Sequence, residues 1–162
     1  EQAEDPVAFA RMRTGLTMLL TLPGLPVLFY GDEIGLAGAN DPDNRRVLPA
    51  WSELGAEQVA TRTLVQRLGT LRRCVPALRT GSREAVIIEE RLYVYRRGEA
   101  ALVLLSSDPE ARTVVVPGVL AAGEYVDAWT NEPVLFTADG AQVQLGPRQS
   151  RVLVRADGGC AG

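Results

Sequence analysis

The hydrophobic period changes at Leu78, and this change divides the chain into two kinds of architecture. Before Leu78 the apolar residues recur every three or four positions, which is typical of helices; after it they alternate with polar residues, which is typical of strands. Gly, Pro, Asp and Asn separate the alternating runs: "EAVIIEE", "RLYVYRRG", "AALVLLSS", "ARTVVVPG", "GEYVDAWT", "EPVLFTA", "AQVQLG" and "SRVLVRA". Roughly eight strands at this spacing predict an antiparallel sandwich or small barrel.

The segment before the alternating runs has the pattern of an incomplete α/β unit. A helix is predicted over residues 5–21, where Asp5 can cap the first turn and Pro6 occupies its first position. The apolar run "VLFY", Val27 to Tyr30, predicts a strand buried on both faces, and "AEQVATRTLVQRLGTLRRCV" predicts a second helix. Since one such strand has no partner for its ladder hydrogen bonds, we expect that an N-terminal portion is missing.

The composition excludes several kinds of chemistry. Every one of the 17 basic residues is Arg, and the chain has no His. Lysine Schiff bases, Ser-His-Asp catalysis and Cys-His catalysis are therefore excluded within the chain, and a zinc site is disfavoured. A net charge of −3 argues against nucleic acid as a partner. No apolar run has the length of a membrane helix, so we expect a soluble protein with no membrane partner; cytoplasmic and secreted locations both stay open.

The two cysteines leave the redox compartment open. Cys74 lies in the second predicted helix and Cys160 in the tail "DGGCAG". A disulfide between them is one alternative. The glycine-rich tail, residues 157–162, is predicted to be disordered, so the favoured interpretation is that the two cysteines are not paired.

A long polar loop, "DEIGLAGANDPDNRR", follows the predicted strand. Asp32 and Glu33 are adjacent, so in a continued strand they would point to opposite faces and could not form the carboxylate pair of a retaining glycosidase. The favoured interpretation is that one accepts from loop amides while the other pairs with an arginine. Two interpretations stay open for the rest of the loop. Either its own Asx turns and ion pairs order it, or it recognises a sugar, with Asp41 accepting from hydroxyls, Arg45 donating and Trp51 offering an apolar face.

The spacing excludes a calcium loop that starts at Asp41. The position that needs glycine holds Arg46, and the position of the bidentate acid holds Ser52. The residues therefore imply no metal site and no cofactor in this chain, and they do not specify whether a longer parent protein needs calcium.

The run "LPGLPVLFYGDEIGLAGANDPDNRRVLPAW" resembles the end of the catalytic barrel in the α-amylase family of glycoside hydrolases, family 13. It is most similar to the cyclomaltodextrinase, neopullulanase and maltogenic amylase branch. The motif that carries the resemblance is "YGDEIG…NDPDNRR…W". The helices on either side and the β-rich segment also come in the family's order.

The resemblance implies a fold class of α/β plus all-β. The chain would be the end of a TIM (β/α)8 barrel, as helix–strand–helix, followed by an antiparallel β-sandwich domain. Residues 1–77 would form the incomplete barrel end, residues 78–156 the sandwich, and residues 157–162 a disordered tail.

The resemblance also implies a substrate site without catalytic residues. In that branch, the residues that match Asp41 and Arg45 bind glucose units on the non-reducing side of the cleaved bond, and those that match Asp32 and Glu33 shape the cleft floor. The family's catalytic Asp, Glu and Asp lie on earlier barrel strands, and none of their motifs occurs here. We therefore expect this chain alone to be inactive, within a parent that is a retaining hydrolase or transglycosidase of starch-derived α-glucans.

Two alternatives remain at this stage. The chain could belong to a non-catalytic structural or interaction protein of the same fold. It could instead be a starch-binding module, which would need exposed aromatic rings on the sandwich. The candidates for those rings are Tyr93, Tyr95, Tyr125 and Trp129, although inward packing is the favoured interpretation of Tyr93 and Tyr95.

Overall fold

The computed structural model describes residues 5–158 and residue 160, and in these residues it contains three α-helices and eight β-strands. The helices are α1 Pro6–Thr21, α2 Ala56–Cys74 and α3 Ala77–Thr80. The strands are β1 Arg83–Glu89, β2 Leu92–Arg97, β3 Ala101–Ser106, β4 Arg112–Pro117, β5 Gly123–Asp127, β6 Pro133–Phe136, β7 Gly140–Leu145 and β8 Ser150–Arg155. The two long helices confirm their predictions, and Asp5 caps α1 by accepting from the amide of Val7 at 2.9 Å.

The strands form an antiparallel sandwich, as the alternating runs predict. Six of them make one sheet in the order β1-β2-β3-β8-β5-β6, and β4 and β7 pair in a second, two-stranded sheet. Every pairing is antiparallel. The large sheet therefore has one face toward the small sheet and the other toward the helices.

Two apolar clusters cover the two faces of the large sheet. The first cluster lies between the two sheets and includes Leu102, Leu104 and Phe136. The second lies between the large sheet and the helices, where Leu64, Leu68 and Leu71 of α2 meet the opposite face. Because both faces are covered, all six residues of β3 are buried, whereas β4 alternates between buried and exposed positions.

The predicted strand over Val27 to Tyr30 is absent, which corrects the sequence prediction. Residues 25–29 have no regular structure and Tyr30 lies in a turn. The prediction of burial is also wrong, since Val27 is 76% exposed and Phe29 64% exposed. A parallel-type strand needs a neighbour for its hydrogen bonds, and no strand of the described residues runs beside this segment.

The described part of the C-terminal tail also differs from the prediction of disorder over residues 157–162. Residues Ala156–Gly158 form a short 3-10 helix, and Arg155 donates from two nitrogens to the Asp157 carboxylate at 3.0 Å. Cys160 forms a disulfide with Cys74 at the end of α2, against the favoured interpretation of unpaired cysteines. The remainder of that prediction, residues 159, 161 and 162, falls outside the described residues.

Among residues 5–158 and 160, no helix combines the length and the apolar character that crossing a membrane requires. The apolar stretch before the polar loop is broken at Leu22 to Gly24, where α1 has already ended.

Candidate functional site

The polar loop runs from Gly31 to Gly55 and is built from three short 3-10 helices: Asp32–Ile34, Asp43–Arg45 and Trp51–Glu53. Its first turn is fixed by Ile34, which is fully buried. Gly35 has φ 62°, and a Cβ at this position would lie 2.5 Å from Cε1 of Phe9 in α1. The loop therefore leaves the helix layer through a tight contact that requires glycine.

Asp32 and Glu33 turn back onto the backbone. Asp32 Oδ2 accepts from the amide of Phe29 at 2.8 Å, and Glu33 Oε2 accepts from the amide of Gly31 at 2.9 Å. The expectation that one of them pairs with an arginine is wrong, because both carboxylates are occupied by amides and neither forms an ion pair among the described residues. They shape the entrance of the loop rather than forming a pair of facing carboxylates.

An ion-pair fork orders the middle of the loop. Asp43 accepts from Nε and Nη2 of Arg46, both at 2.7 Å, and also from the amide of Ala39 at 2.8 Å. The Arg46 guanidinium, followed by the Ala39 amide, holds the pKa of Asp43 below its ordinary value. A Cβ on Gly38 would lie 2.8 Å from the Asn44 Cα, so the two sides of the loop are in direct contact. These contacts support the interpretation of a loop ordered by its own ion pairs.

Asp41 and Arg45 are brought together in the same loop but remain open to solvent. Arg45 Nε lies 2.9 Å from Asp41 Oδ1, and the two side chains are 76% and 61% exposed. The Asp41–Pro42 peptide bond is cis. The pair thus presents one donor group and one acceptor group side by side, at a position where a polyhydroxylated ligand can replace their mutual contact.

Trp51 offers less free ring surface than the sequence predicts. Its side chain is about half exposed, and the Arg62 guanidinium lies over the ring at 4.2 Å from the centroid. This cation–π contact covers one face of the ring. Sequence reasoning did not single out Asp43 as the residue that orders the loop, although opposite charges three residues apart in "DNRR" were a usable signal.

Two buried arginines fix the end of α1, from which the loop segment departs. Arg72 Nη1 donates to the carbonyl oxygens of Leu20 at 2.9 Å and Leu22 at 3.0 Å. Arg97 of β2 donates to the carbonyl oxygen of Thr21. Burial lowers the pKa of both guanidiniums, yet they remain charged because an arginine pKa starts above 12. A residue of the sandwich and a residue of α2 therefore hold the same helix end.

The aromatic residues of the sandwich pack inward. Tyr95 and Tyr125 are fully buried, and Tyr93 and Trp129 are partly buried against the second cluster. Tyr93 and Tyr95 do share a face, with ring centroids 4.9 Å apart. This placement confirms the inward-packing interpretation and leaves no row of exposed rings on these four residues.

Within residues 5–158 and 160, no group of three or more His, Cys, Asp or Glu side chains is arranged to hold an ion. The acidic residues of the loop are instead engaged by amides and arginines, as in the Asp43 fork.

The chain is 30% identical over 122 residues to a cyclomaltodextrin glucanotransferase of Niallia circulans, over 72% of this chain and 16% of that protein. It is 32% identical over 96 residues to the amylopullulanase of Thermoanaerobacter thermohydrosulfuricus, over 59% of this chain and 6% of that protein. The crystal structure of AmyP in complex with maltose superposes with a TM-score of 0.80 at 21% identity, over 94% of this chain and 35% of that one.

The matches cover only a small part of each relative. No protein-family model matches the sequence. The chain spans less than a fifth of the length of the two curated relatives, and the match is to their C-terminal region. The likeness to AmyP, at 21% identity, shows the fold. The relatives are a glucanotransferase and an amylopullulanase, so assignment to the cyclomaltodextrinase, neopullulanase and maltogenic amylase branch stays a prediction.

Proposed function

Because the relatives of this chain are α-amylase-family glycoside hydrolases and transglycosylases, we propose that it is the C-terminal portion of an enzyme that cleaves or transfers α-glucosidic bonds with retention. In this proposal residues 1–77 complete a (β/α)8 barrel, and residues 78–156 form the sandwich packed against it. The substrate is an α-glucan oligosaccharide derived from starch. The observation that carries the proposal is the solvent-open Asp41–Arg45 pair on an otherwise self-bonded loop.

An exposed apolar surface supports the barrel part of the proposal. Seven large apolar side chains between α1 and α2 are exposed, two of them almost fully: Leu25, Val27, Phe29, Tyr30, Val47, Leu48 and Trp51. Exposed apolar side chains gathered in two short stretches of one segment favour a contact surface. In a closed barrel, neighbouring parallel strands would cover Val27 to Tyr30 on both sides and supply the missing ladder hydrogen bonds.

The Asp41–Arg45 pair fits a role in binding glucose units. A carboxylate accepts from sugar hydroxyls and a guanidinium donates to them, and charged partners strengthen these hydrogen bonds. The ligand would replace an exposed ion pair of small worth, so little stability is lost on binding. Asp43 and Arg46 stay bonded to each other and hold the loop in place beneath the ligand.

In this proposal, bond cleavage depends on groups outside this chain. Retention requires a nucleophilic carboxylate and an acid/base carboxyl group about 5 Å apart, on either side of the scissile bond. Asp32 and Glu33 are engaged by backbone amides and are not such a pair. We therefore propose that the preceding barrel supplies the acid and the nucleophile, and that this chain positions the substrate.

The first test measures the intact mass of the natural polypeptide, and then its activity. A mass that leaves room for a barrel of roughly 250 residues, together with release of sugar from maltooligosaccharides, is the expected result. In that polypeptide, Asp41→Ala and Arg45→Ala should each lower kcat/KM by about tenfold or more, because each removes charge-assisted hydrogen bonds to substrate.

Glu99→Ala is the matched control for those variants. Glu99 is also an exposed carboxylate paired with an arginine, at 2.7 Å from Arg96, but it lies on the turn between β2 and β3. Its removal should leave kcat/KM unchanged. An intact polypeptide without activity on α-glucans would overturn the enzyme proposal in favour of a non-catalytic relative. Full activity in Arg45→Ala would overturn the proposed role of the Asp41–Arg45 pair in binding, but not the proposal that the polypeptide is an enzyme.

A further inference from the structure

We propose that the Cys74–Cys160 disulfide is a redox-sensitive covalent tie that closes the sandwich onto the end of α2. Cys74 is the last residue of α2, which precedes the short helix α3 and the first strand of the sandwich, and Cys160 follows the sandwich's last strand. The disulfide therefore joins the segment that precedes the sandwich to the segment that follows its last strand. This inference does not rest on the proposed enzymatic function.

The pairing agrees with the backbone geometry and with the composition. The two Cα atoms are 5.8 Å apart, within the usual range for a disulfide. The chain has two cysteines in all, so no other pairing inside it competes. The two residues are separated by 86 positions, and the loop that they close contains all eight strands.

The segment after β8 is ordered by contacts of Arg155 before it reaches Cys160. Arg155 bonds the Asp157 carboxylate through two nitrogens, and its guanidinium lies 5.8 Å from the Tyr125 ring centroid. The Arg155 contact lowers the pKa of Asp157. Since these contacts bend the chain in the 3-10 helix, the disulfide joins two groups that the fold already brings close.

The tie is accessible to soluble thiols. Cys74 is exposed and Cys160 partly so. A surface cavity of about 220 Å³ lies beside the two sulfur atoms, with Val75, Ala100 and Val154 among its lining residues. A small dithiol can reach the bond there, and opening it would free the tail from an apolar surface.

The redox chemistry is a two-electron exchange. Formation oxidises the two thiols to one disulfide, and the partner is a disulfide-containing oxidoreductase that is reduced to its dithiol. Reduction by dithiothreitol runs the other way: the S–S bond breaks, both cysteines gain a proton, and the reagent closes to its cyclic disulfide. Because such bonds persist in oxidising compartments, the tie also assigns the natural protein to one.

The expected effect of the tie is a higher unfolding temperature. Closing a loop of this length restricts the unfolded chain more than the folded one. Reduction should therefore lower Tm by about 5–10 °C for a protein of this size. The double variant Cys74→Ser/Cys160→Ser should melt at the temperature of the reduced protein, and dithiothreitol should not change it further.

The bond itself is tested on the natural polypeptide, alkylated at lysis and digested with trypsin without reductant. Cleavage after Arg73 and Arg79 releases the peptide "CVPALR", and cleavage after Arg155 releases the peptide that begins "ADGGC". The proposal expects one cross-linked species of these two peptides, which separates on adding dithiothreitol. Two alkylated cysteines in place of that species would overturn it. A cross-linked protein whose Tm does not move on reduction would overturn the stabilising role.

Discussion

The sandwich and the segment from Leu22 to Gly55 are stabilised in opposite ways. In the sandwich, apolar residues of facing strands and helices cover each other, and β3 has no exposed residue. In the segment, all of which the structure describes, Ile34 is the one buried hydrophobic residue. Carboxylates bonded to amides and arginines order the segment instead.

This difference separates a region that buries most of its apolar side chains from one that leaves most of them exposed. The sandwich buries most of its apolar side chains within the chain, so its stability is largely internal. The segment orders its polar groups but leaves Leu25, Val27 and Val47 in solvent. A polar framework can therefore hold a loop in shape while its apolar surface stays available for contact with other parts of a protein.

The largest expected effect comes from the centre of the sandwich. Leu102→Ala removes a fully buried side chain from the cluster between the sheets and should lower the free energy of unfolding by about 2–5 kcal/mol. Val47→Ala, at a residue that is 90% exposed, should change it by less than about 0.5 kcal/mol. Urea denaturation of both variants measures the contrast. Equal losses would mean that the segment is as well packed as the sandwich.

An intermediate effect is expected at the junction of the two regions. The Tyr95 and Thr21 hydroxyl oxygens are 2.5 Å apart, and Tyr95→Phe should cost about 1 kcal/mol at neutral pH. Burial raises the pKa of Tyr95 to about 12, so the folded state binds this proton more tightly than the unfolded state. The stability that this proton contributes is fully present below pH 10. It is lost as the pH rises through 12, and the free energy of unfolding falls by about 2–3 kcal/mol at most.

Denaturation curves between pH 9 and 12 check this prediction. Tyr95→Phe should lose the alkaline decline that this proton causes. The control is Tyr93→Phe at the neighbouring, partly exposed ring, which should retain the decline. A decline of the same size in Tyr95→Phe would show that another group is responsible.

The smallest effect should be local to the loop. Asp43→Ala removes the fork to Arg46 and the bond from the Ala39 amide, so amides in residues 38–46 should exchange hydrogen faster, with little change in Tm. Arg46 lowers the pKa of Asp43. The fork is therefore fully present above about pH 4, the ordinary pKa range of a carboxyl group. It is lost as the pH falls through the lowered pKa of Asp43.

Hydrogen exchange followed by mass spectrometry measures that effect. Asp41→Ala serves as the comparison, because the Asp41–Arg45 pair is more exposed than the fork and its loss should change exchange less. Equal protection of the loop amides from exchange in the unsubstituted protein, Asp43→Ala and Asp41→Ala would show that the backbone alone orders the loop.

The sequence predicted the parts of the fold that depend on local pattern. Eight alternating runs became eight strands, and Leu64, Leu68 and Leu71 of α2 face the sheet with Leu20 of α1 beside them. The run at Val27 to Tyr30 failed because strand formation depends on a neighbour, which composition and period do not reveal. The Cys74–Cys160 pairing was also out of reach, since it depends on how α2 and the tail meet in space.

Prediction of the candidate site was likewise limited by side-chain geometry. The Asp41–Arg45 ion pair joins residues four positions apart, but the sequence analysis did not predict this contact, and the role in sugar binding that the resemblance implies for the two residues stays a prediction. Asp32 and Glu33 bond backbone amides because they lie in a 3-10 turn, and the sequence did not indicate this turn. The role of Asp43 was missed because "DPDNRR" offers several carboxylates to two arginines, and only the fold selects among them.

The contacts of the two buried arginines at the end of α1 respond to acid differently from the fork of the loop. Arg72 and Arg97 bind carbonyl oxygens, which do not take up protons at moderately low pH. Asp43 loses its charge only as the pH falls through its lowered pKa, and the fork of the loop is lost with it. Acidification through that range should therefore loosen the loop, while the helix from which it departs stays anchored to the sandwich.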